Sequence, residues 1–145
     1  KVSEKRILIE WPSLGAKVQM CKTDKNAKMF DEYCNRLPYH ALQIHAMVAG
    51  YQWYHYSPCV VDEVTDLIDY NPKLDEIDDG WLLWTPLAGL VGCAYGHNTE
   101  YLRTIPIAKV RDEDLETLRS VGKRIWESVM YTKEIIEVRY SVIEA

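Results

Sequence analysis

The sequence predicts an α+β domain: a small β-barrel with two main helices covering its openings. Three observations carry this expectation. Short runs alternate apolar and polar residues along most of the chain. Turn residues separate those runs at close intervals. Only two longer stretches repeat apolar residues at helical spacing. At 145 residues the chain suits one domain around one core, so residues 1–145 read as a single unit.

Arg6–Trp11 and Ala16–Cys21 read as strands joined by the turn Pro12-Ser13-Leu14-Gly15. A helix follows from about Lys25 to Arg36, with Thr23 or Asp24 as its cap and Ala27, Phe30, Cys34 and Leu37 on one face. Pro38 ends it. Tyr39–Val48 alternates as one strand, with Leu42, Ile44, Ala46 and Val48 on one side and Ala41, Gln43, His45 and Met47 on the other. Gly50 marks a bend before the aromatic strand Tyr51–Tyr56. Cys59–Asp79 reads as an acidic, irregular excursion with a short helix inside Asp62–Ile68. Its carboxylates lack the ordered spacing of a calcium loop, so no metal site is expected.

Trp81–Thr85 and Leu90–Tyr95 are the next strands, and Gly96-His97-Asn98 reads as a turn. Ile105–Arg111 is another strand. Asp112 is the expected cap of a helix spanning 112–131, with Leu115, Leu118, Val121, Ile125 and Val129 as its buried stripe. A final strand at 134–143 buries Ile136, Val138, Tyr140 and Val142. The expectation is seven or eight strands.

The net charge of −5 and the scattered basic residues argue against nucleic acid. No apolar run approaches the roughly 18 residues of a membrane span, so no membrane partner is expected. Cys21, Cys34, Cys59 and Cys93 show no CxxC spacing and read as reduced core residues, which points to a cytoplasmic protein. Five Trp and ten Tyr exceed what a small core must bury, which suggests a homo-oligomer interface.

No dinucleotide, P-loop, zincin or serine-hydrolase motif is present in the sequence. Chemistry therefore has two candidate clusters. The first is the stretch Pro38–Pro58, with His40, His45 and His55 among aromatic residues. Imidazole moves protons near neutral pH, and aromatic walls exclude water. His45 is the best candidate there, and His40 and His55 read as structural. The second cluster is Tyr95 to Arg103, where Tyr95, His97 and Glu100 could act as acid, base and orienting group at a barrel mouth.

The run Leu37-Pro38 through His45-Ala46, then Gly50 and Pro58, resembles small cyclophilin-like bacterial barrels. The segments Ala94-Tyr95-Gly96-His97-Asn98-Thr99-Glu100 and Ile107-Ala108-Lys109-Val110, with the helix Asp114–Leu118 and Gly122–Glu127, resemble cucumopine and mikimopine synthases. The acidic segment Val61–Asp79 adds nothing to the likeness. The resemblance implies an opine synthase that condenses L-histidine with 2-oxoglutarate by a Pictet–Spengler-type cyclisation, without a redox cofactor. Such a site needs proton-transfer groups, a dry wall and cations for carboxylates. His45, Tyr95, His97 and Glu100 fill the first role. Tyr51, Trp53 and Trp81 fill the second, and Arg103 and Lys109 the third. The one phenylalanine, Phe30, lies on the first helix, so the peptide groove of a prolyl isomerase is not expected. Two alternatives stand beside this reading: a different small-molecule lyase or hydrolase, and a non-catalytic binding or assembly module on the same barrel.

Overall fold

Alternation at the start of the chain forms the predicted pair: β1 (Lys5–Trp11) runs antiparallel to β2 (Ala16–Cys21). Every second residue of β1, namely Ile7, Ile9 and Trp11, is fully buried, which is the face expected of a half-buried strand. The computed structural model describes residues 4–62 and 65–145. The other strands are β3 (Tyr39–Leu42), β4 (Ile44–His45), β5 (Gly50–Tyr56), β6 (Trp81–Thr85), β7 (Leu90–Asn98), β8 (Pro106–Val110) and β9 (Glu137–Glu144). They form one antiparallel sheet in the order β3-β9-β1-β2-β8-β6-β7-β5-β4. Two helices, α1 (Ala27–Cys34) and α2 (Leu115–Glu127), pack on it. The architecture is the α+β barrel the sequence predicts, with nine strands among the described residues instead of seven or eight.

The barrel nearly closes because its two edge strands are consecutive in the chain. β3 pairs with β9 as far as Leu42↔Glu137, and β4 pairs with β5 from Ile44↔Tyr54. Gln43 sits at the seam, between β3 and β4. Its amide nitrogen donates to the Tyr54 carbonyl at 2.9 Å, and its side-chain oxygen accepts from Trp11 Nε1 at 2.9 Å. This change of partner corrects the expectation of one strand over Tyr39–Val48. Gln43, His45 and Ala46 are buried, whereas Leu42, Met47 and Val48 are 61%, 61% and 88% exposed, so neither of the two alternating rows faces inward throughout. A second correction concerns Gly96-His97-Asn98. These residues continue β7 instead of turning, because Gly96 lets the Tyr51 ring lie across its backbone; a Cβ there would sit 2.9 Å from Tyr51 Cβ.

Inward residues of the strands and of both helices make one core. Trp11, Trp53, Trp84, Tyr33 and Tyr140 are its largest members, each at most 1% exposed. Burial of such side chains is worth about 1.5–3 kcal/mol each and dominates the stability of a small barrel. All four cysteines are free, and Cys34, Cys59 and Cys93 are buried. Among the described residues, no helix is long and apolar enough to cross a membrane.

Neither helix begins as the sequence suggests. Arg111 precedes a 3-10 turn at Asp112–Asp114 that leads into α2, and Asp112 makes no side-chain cap. Asp114 is the acidic residue that matters here: it accepts the Gln19 N–H at 2.8 Å and pairs with Arg111 at 3.1 Å. For α1 the residue before the helix is Asn26, not Thr23 or Asp24. Asn26 has φ 51, a left-handed conformation that Asn tolerates better than most residues.

The buried Asn26 side chain clamps the acidic excursion onto the barrel. It donates to the Tyr70 and Pro106 carbonyls at 2.7 Å each and accepts from the Asp69 and Tyr70 N–H groups at 2.9 and 3.0 Å. Asn26→Ala strands all these partners, for an expected loss of about 3–4 kcal/mol. A melting temperature lower by roughly 10 °C is the measurable outcome. Of the short helix expected inside Asp62–Ile68, a 3-10 turn is seen at Thr65–Leu67, and Glu63 and Val64 lie outside the described residues.

Candidate functional site

Strand parity decides which candidate residues can meet. On β5 and β7 the pairs Trp53↔Cys93 and His55↔Val91 point into the core, and Tyr54↔Gly92 and Tyr56↔Leu90 point outward. Tyr51 and Tyr95 continue the inward rows to the end of the barrel, where α2 lies across the opening. His45 reaches the same place from β4 through the pair His45↔Trp53.

There His45 and Tyr95 touch. His45 Nε2 lies 2.7 Å from the Tyr95 hydroxyl, and His45 Nδ1 lies 2.7 Å from the Ala46 carbonyl oxygen. A carbonyl oxygen only accepts, so Nδ1 carries the proton and donates it. Nε2 is then the acceptor, and the Tyr95 hydroxyl donates to it. Both side chains are only 4% exposed. Burial lowers the His45 pKa below its ordinary value, opposed by the bond to Ala46, and keeps the imidazole neutral at neutral pH. Burial, with the Tyr51 phenol nearby, pushes the Tyr95 hydroxyl up to about 12. The pair is thus a neutral base hydrogen-bonded to a neutral acid.

The pair sits beside two adjoining cavities that share Tyr51 and His97. One, of about 270 Å³, is lined by His45, Met47, Val48 and Trp126. The other, of about 390 Å³, is lined by Tyr95, Arg119, Ser120 and Lys123. Together they have the size of a small-molecule site. The Trp126 ring stands edge-on to His45 at 5.0 Å, and Tyr51 stands edge-on to Tyr95 at 6.0 Å. Thr99 pins the rim loop by donating to the Val48 carbonyl at 3.0 Å. Arg119 is bound to Asp79 and Glu116 at 3.1 Å each, whereas Lys123 forms no ion pair among the described residues.

The other residues singled out from the sequence take different places. His97 is exposed at the chamber rim. Trp53 is fully buried, edge-on to Trp11 at 5.5 Å, and supports the pair from below instead of walling the cavity. Trp81 faces outward; its Nε1 donates to Asp78 at 2.8 Å, and the Lys109 ammonium lies 5.0 Å over its ring. Lys109 is itself paired with Asp78 at 2.7 Å. Glu100 and Arg103 line a separate groove on the outer face with Gln52 and Gly92. Trp81, Lys109, Glu100 and Arg103 therefore do not converge with His45. His40 is exposed, within 3.8 Å of Glu137, and His55 is in the core, bound to Tyr39 at 2.6 Å. Among the described residues no group of three His, Cys, Asp or Glu side chains is placed to hold a metal ion.

Sequence reasoning missed Trp126, Lys123 and Gly122, all on α2. Gly122 had a signal: glycine inside a helix is unfavourable by about 1 kcal/mol relative to Ala, so it needs a packing reason. The reason is Tyr95, whose ring would lie 2.4 Å from a Cβ at position 122. Gly122 is what allows α2 to press the tyrosine against His45.

No protein-family model matches the sequence, and no curated protein matches it either. Among solved structures, the chain is similar to McbB, whose structure is of a complex with tryptophan. The TM-score is 0.81 and the identity 30%, over 93% of this chain and 44% of McbB. This chain thus spans less than half the length of McbB. A solution structure of a hypothetical protein, AF2241 from Archaeoglobus fulgidus, shares the fold at a TM-score of 0.59 and 12% identity, over 95% of this chain and 94% of that one. The chain therefore has the fold of these two proteins and, with McbB, a detectable sequence likeness.

Proposed function

We propose that the chain is a condensing enzyme that joins an α-amino acid bearing a nucleophilic aromatic ring to a 2-oxo acid, with L-histidine and 2-oxoglutarate as the substrates and cucumopine or mikimopine as the product. The observation that carries this reading is the buried His45–Tyr95 pair beside the aromatic-walled chamber. The tryptophan held by McbB supports it: tryptophan, like histidine, offers an amine and a ring carbon nucleophile in one molecule.

Each group has a role. His45 Nε2, reached through the Tyr95 hydroxyl, takes a proton from the substrate ammonium. The freed amine attacks the ketone carbon to give a carbinolamine. The imidazolium, made a stronger acid by its lowered pKa, returns that proton through Tyr95 to the hydroxyl group, which leaves as water. The substrate ring carbon then attacks the iminium carbon and forms the C–C bond. The same pair removes the ring proton and passes it to the new amine or to solvent. One water is released and no electrons are exchanged. Lys123, and Arg119 at the same cavity, hold substrate carboxylates, in place of the Arg103 and Lys109 expected from the sequence. Trp126, Tyr51 and Met47 keep bulk water from the iminium.

Incubation with L-histidine and 2-oxoglutarate, followed by mass detection, tests the reading. The expected product has the summed mass of the two substrates less one water. A rate equal to the buffer blank would sink it, and product formed only from another amine would reassign the substrate. Self-association is part of the proposal, because Met47 and Val48 stand 61% and 88% exposed beside the chamber. Light scattering should give at least a dimer mass, and a monomer mass counts against it.

A further inference from the structure

The outer face of the barrel carries a concavity that the chamber chemistry does not use. Its floor is Gly92, paired with Leu83 on one side and Tyr54 on the other. A Cβ at Gly92 would come within 3.0 Å of the Trp53 carbonyl oxygen and 3.1 Å of Tyr54 Cβ, so glycine keeps the floor low. Glu100, Leu102, Arg103 and Thr104 form the rim. They are tied down by the Leu74 N–H to the Leu102 carbonyl at 2.9 Å and the Thr104 N–H to the Pro72 carbonyl at 2.8 Å. The cavity is about 100 Å³, room for a small headgroup and not for a drug-sized ligand.

Three polar groups line this groove with charge or hydrogen-bonding capacity left unmatched among the described residues. The Glu100 carboxylate has no ion pair or hydrogen bond among the described residues. Arg103 donates through Nη1 to the Asn71 carbonyl at 2.8 Å and pairs with no carboxylate among the described residues. Gln52 Oε1 is buried and accepts nothing among the described residues. A buried acceptor without a donor is uncommon and unfavourable. An ammonium group satisfies both Gln52 Oε1 and Glu100, and a carboxylate satisfies Arg103. A free α-amino acid carries both charges on one carbon. Leu74, Leu83 and Leu102 line the same groove, so the fitting side chain is small and apolar.

We propose that the outer groove binds a free α-amino acid with a small apolar side chain, its ammonium against Glu100 and Gln52 and its carboxylate against Arg103. The sheet separates this site from the His45 chamber. The proposal goes beyond the condensing reading and stands without it.

The test is a ¹⁵N–¹H NMR titration of the whole chain with L-alanine. Saturable shifts are expected at the Gln52, Gly92 and Thr104 amides. Glu100→Gln and Arg103→Gln should each weaken binding by about tenfold or more, with the spectrum itself reporting that each variant folds. N-acetyl-L-alanine and L-alaninamide, each lacking one charge, should bind more weakly by a similar factor. His45→Gln should leave the titration unchanged. The absence of saturable shifts at the groove amides overturns the proposal. So do shifts centred on Tyr51 and Trp126 that His45→Gln abolishes. Neither result depends on whether condensation activity is found.

Discussion

If the chain condenses L-histidine with 2-oxoglutarate as proposed, His45→Gln should lower that rate by about 10²–10⁴-fold, the range for loss of a general acid–base group. Gln is the informative replacement because its amide can still accept the Tyr95 hydroxyl, which sits 2.7 Å from Nε2, while it cannot take up a proton. His45→Ala would leave that hydroxyl buried and unpaired, at about 1–3 kcal/mol, and would mix folding with chemistry. Tyr95→Phe should also slow the reaction, since in the proposed mechanism the substrate proton reaches Nε2 through the hydroxyl. The neutral imidazole is the competent form, and burial lowers its pKa. The rate should therefore hold down to pH values somewhat below the ordinary histidine pKa of about 6.5 and fall beyond that. Steady-state rates across pH for the parent protein and His45→Gln read both effects, and a pH profile unchanged by the substitution would exclude His45 as the titrating base.

The second large effect is on stability, and it comes from the other buried histidine. His55 is fully buried, with Nε2 2.6 Å from the Tyr39 hydroxyl, and burial lowers its pKa to about 3. Below pH of about 6.5 the unfolded chain protonates this imidazole, but the folded chain resists until about pH 3. The unfolded state binds more protons throughout that window, so stability is full above it and declines as pH falls through it. His55 alone accounts for a loss on the order of 3–5 kcal/mol across the window. Carboxylates titrate in the lower part of the same range, so the difference between parent and His55→Gln is the quantity to measure. Denaturant unfolding at several pH values should show a steeper loss in the parent, with the two curves converging toward acid. Parallel curves would contradict the assignment.

The parts of the fold legible in sequence were those where local pattern and tertiary partner agree. β1, β2 and the turn between them, the aromatic strand β5 and the stripe of α2 are of this kind. The expectation over Tyr39–Val48 failed because alternation assumes one partner throughout, and at Gln43 the chain leaves β9 for β5. The turn expected at Gly96-His97-Asn98 failed because its glycine serves a close approach to Tyr51, not a reversal. Asn26 gave no sign of its role, since its partners lie 43 to 80 residues away.

The site was legible as residue types and not as an assembly. His45 and Tyr95 stood out as proton-transfer groups, but their contact depends on the β5–β7 register and on Gly122, which only the fold reveals. Glu100 lies past the end of β7, where strand parity no longer says which face a side chain takes. Lys123 and Trp126 read as ordinary members of an amphipathic helix, because their significance comes from what α2 lies across.

The most direct test is the mass-detected rate of product formation from L-histidine and 2-oxoglutarate for the parent protein, His45→Gln and a buffer blank, side by side. The His45–Tyr95 account predicts a parent rate far above the blank and a His45→Gln rate close to it. A parent rate equal to the blank, or equal rates for parent and variant, would contradict it.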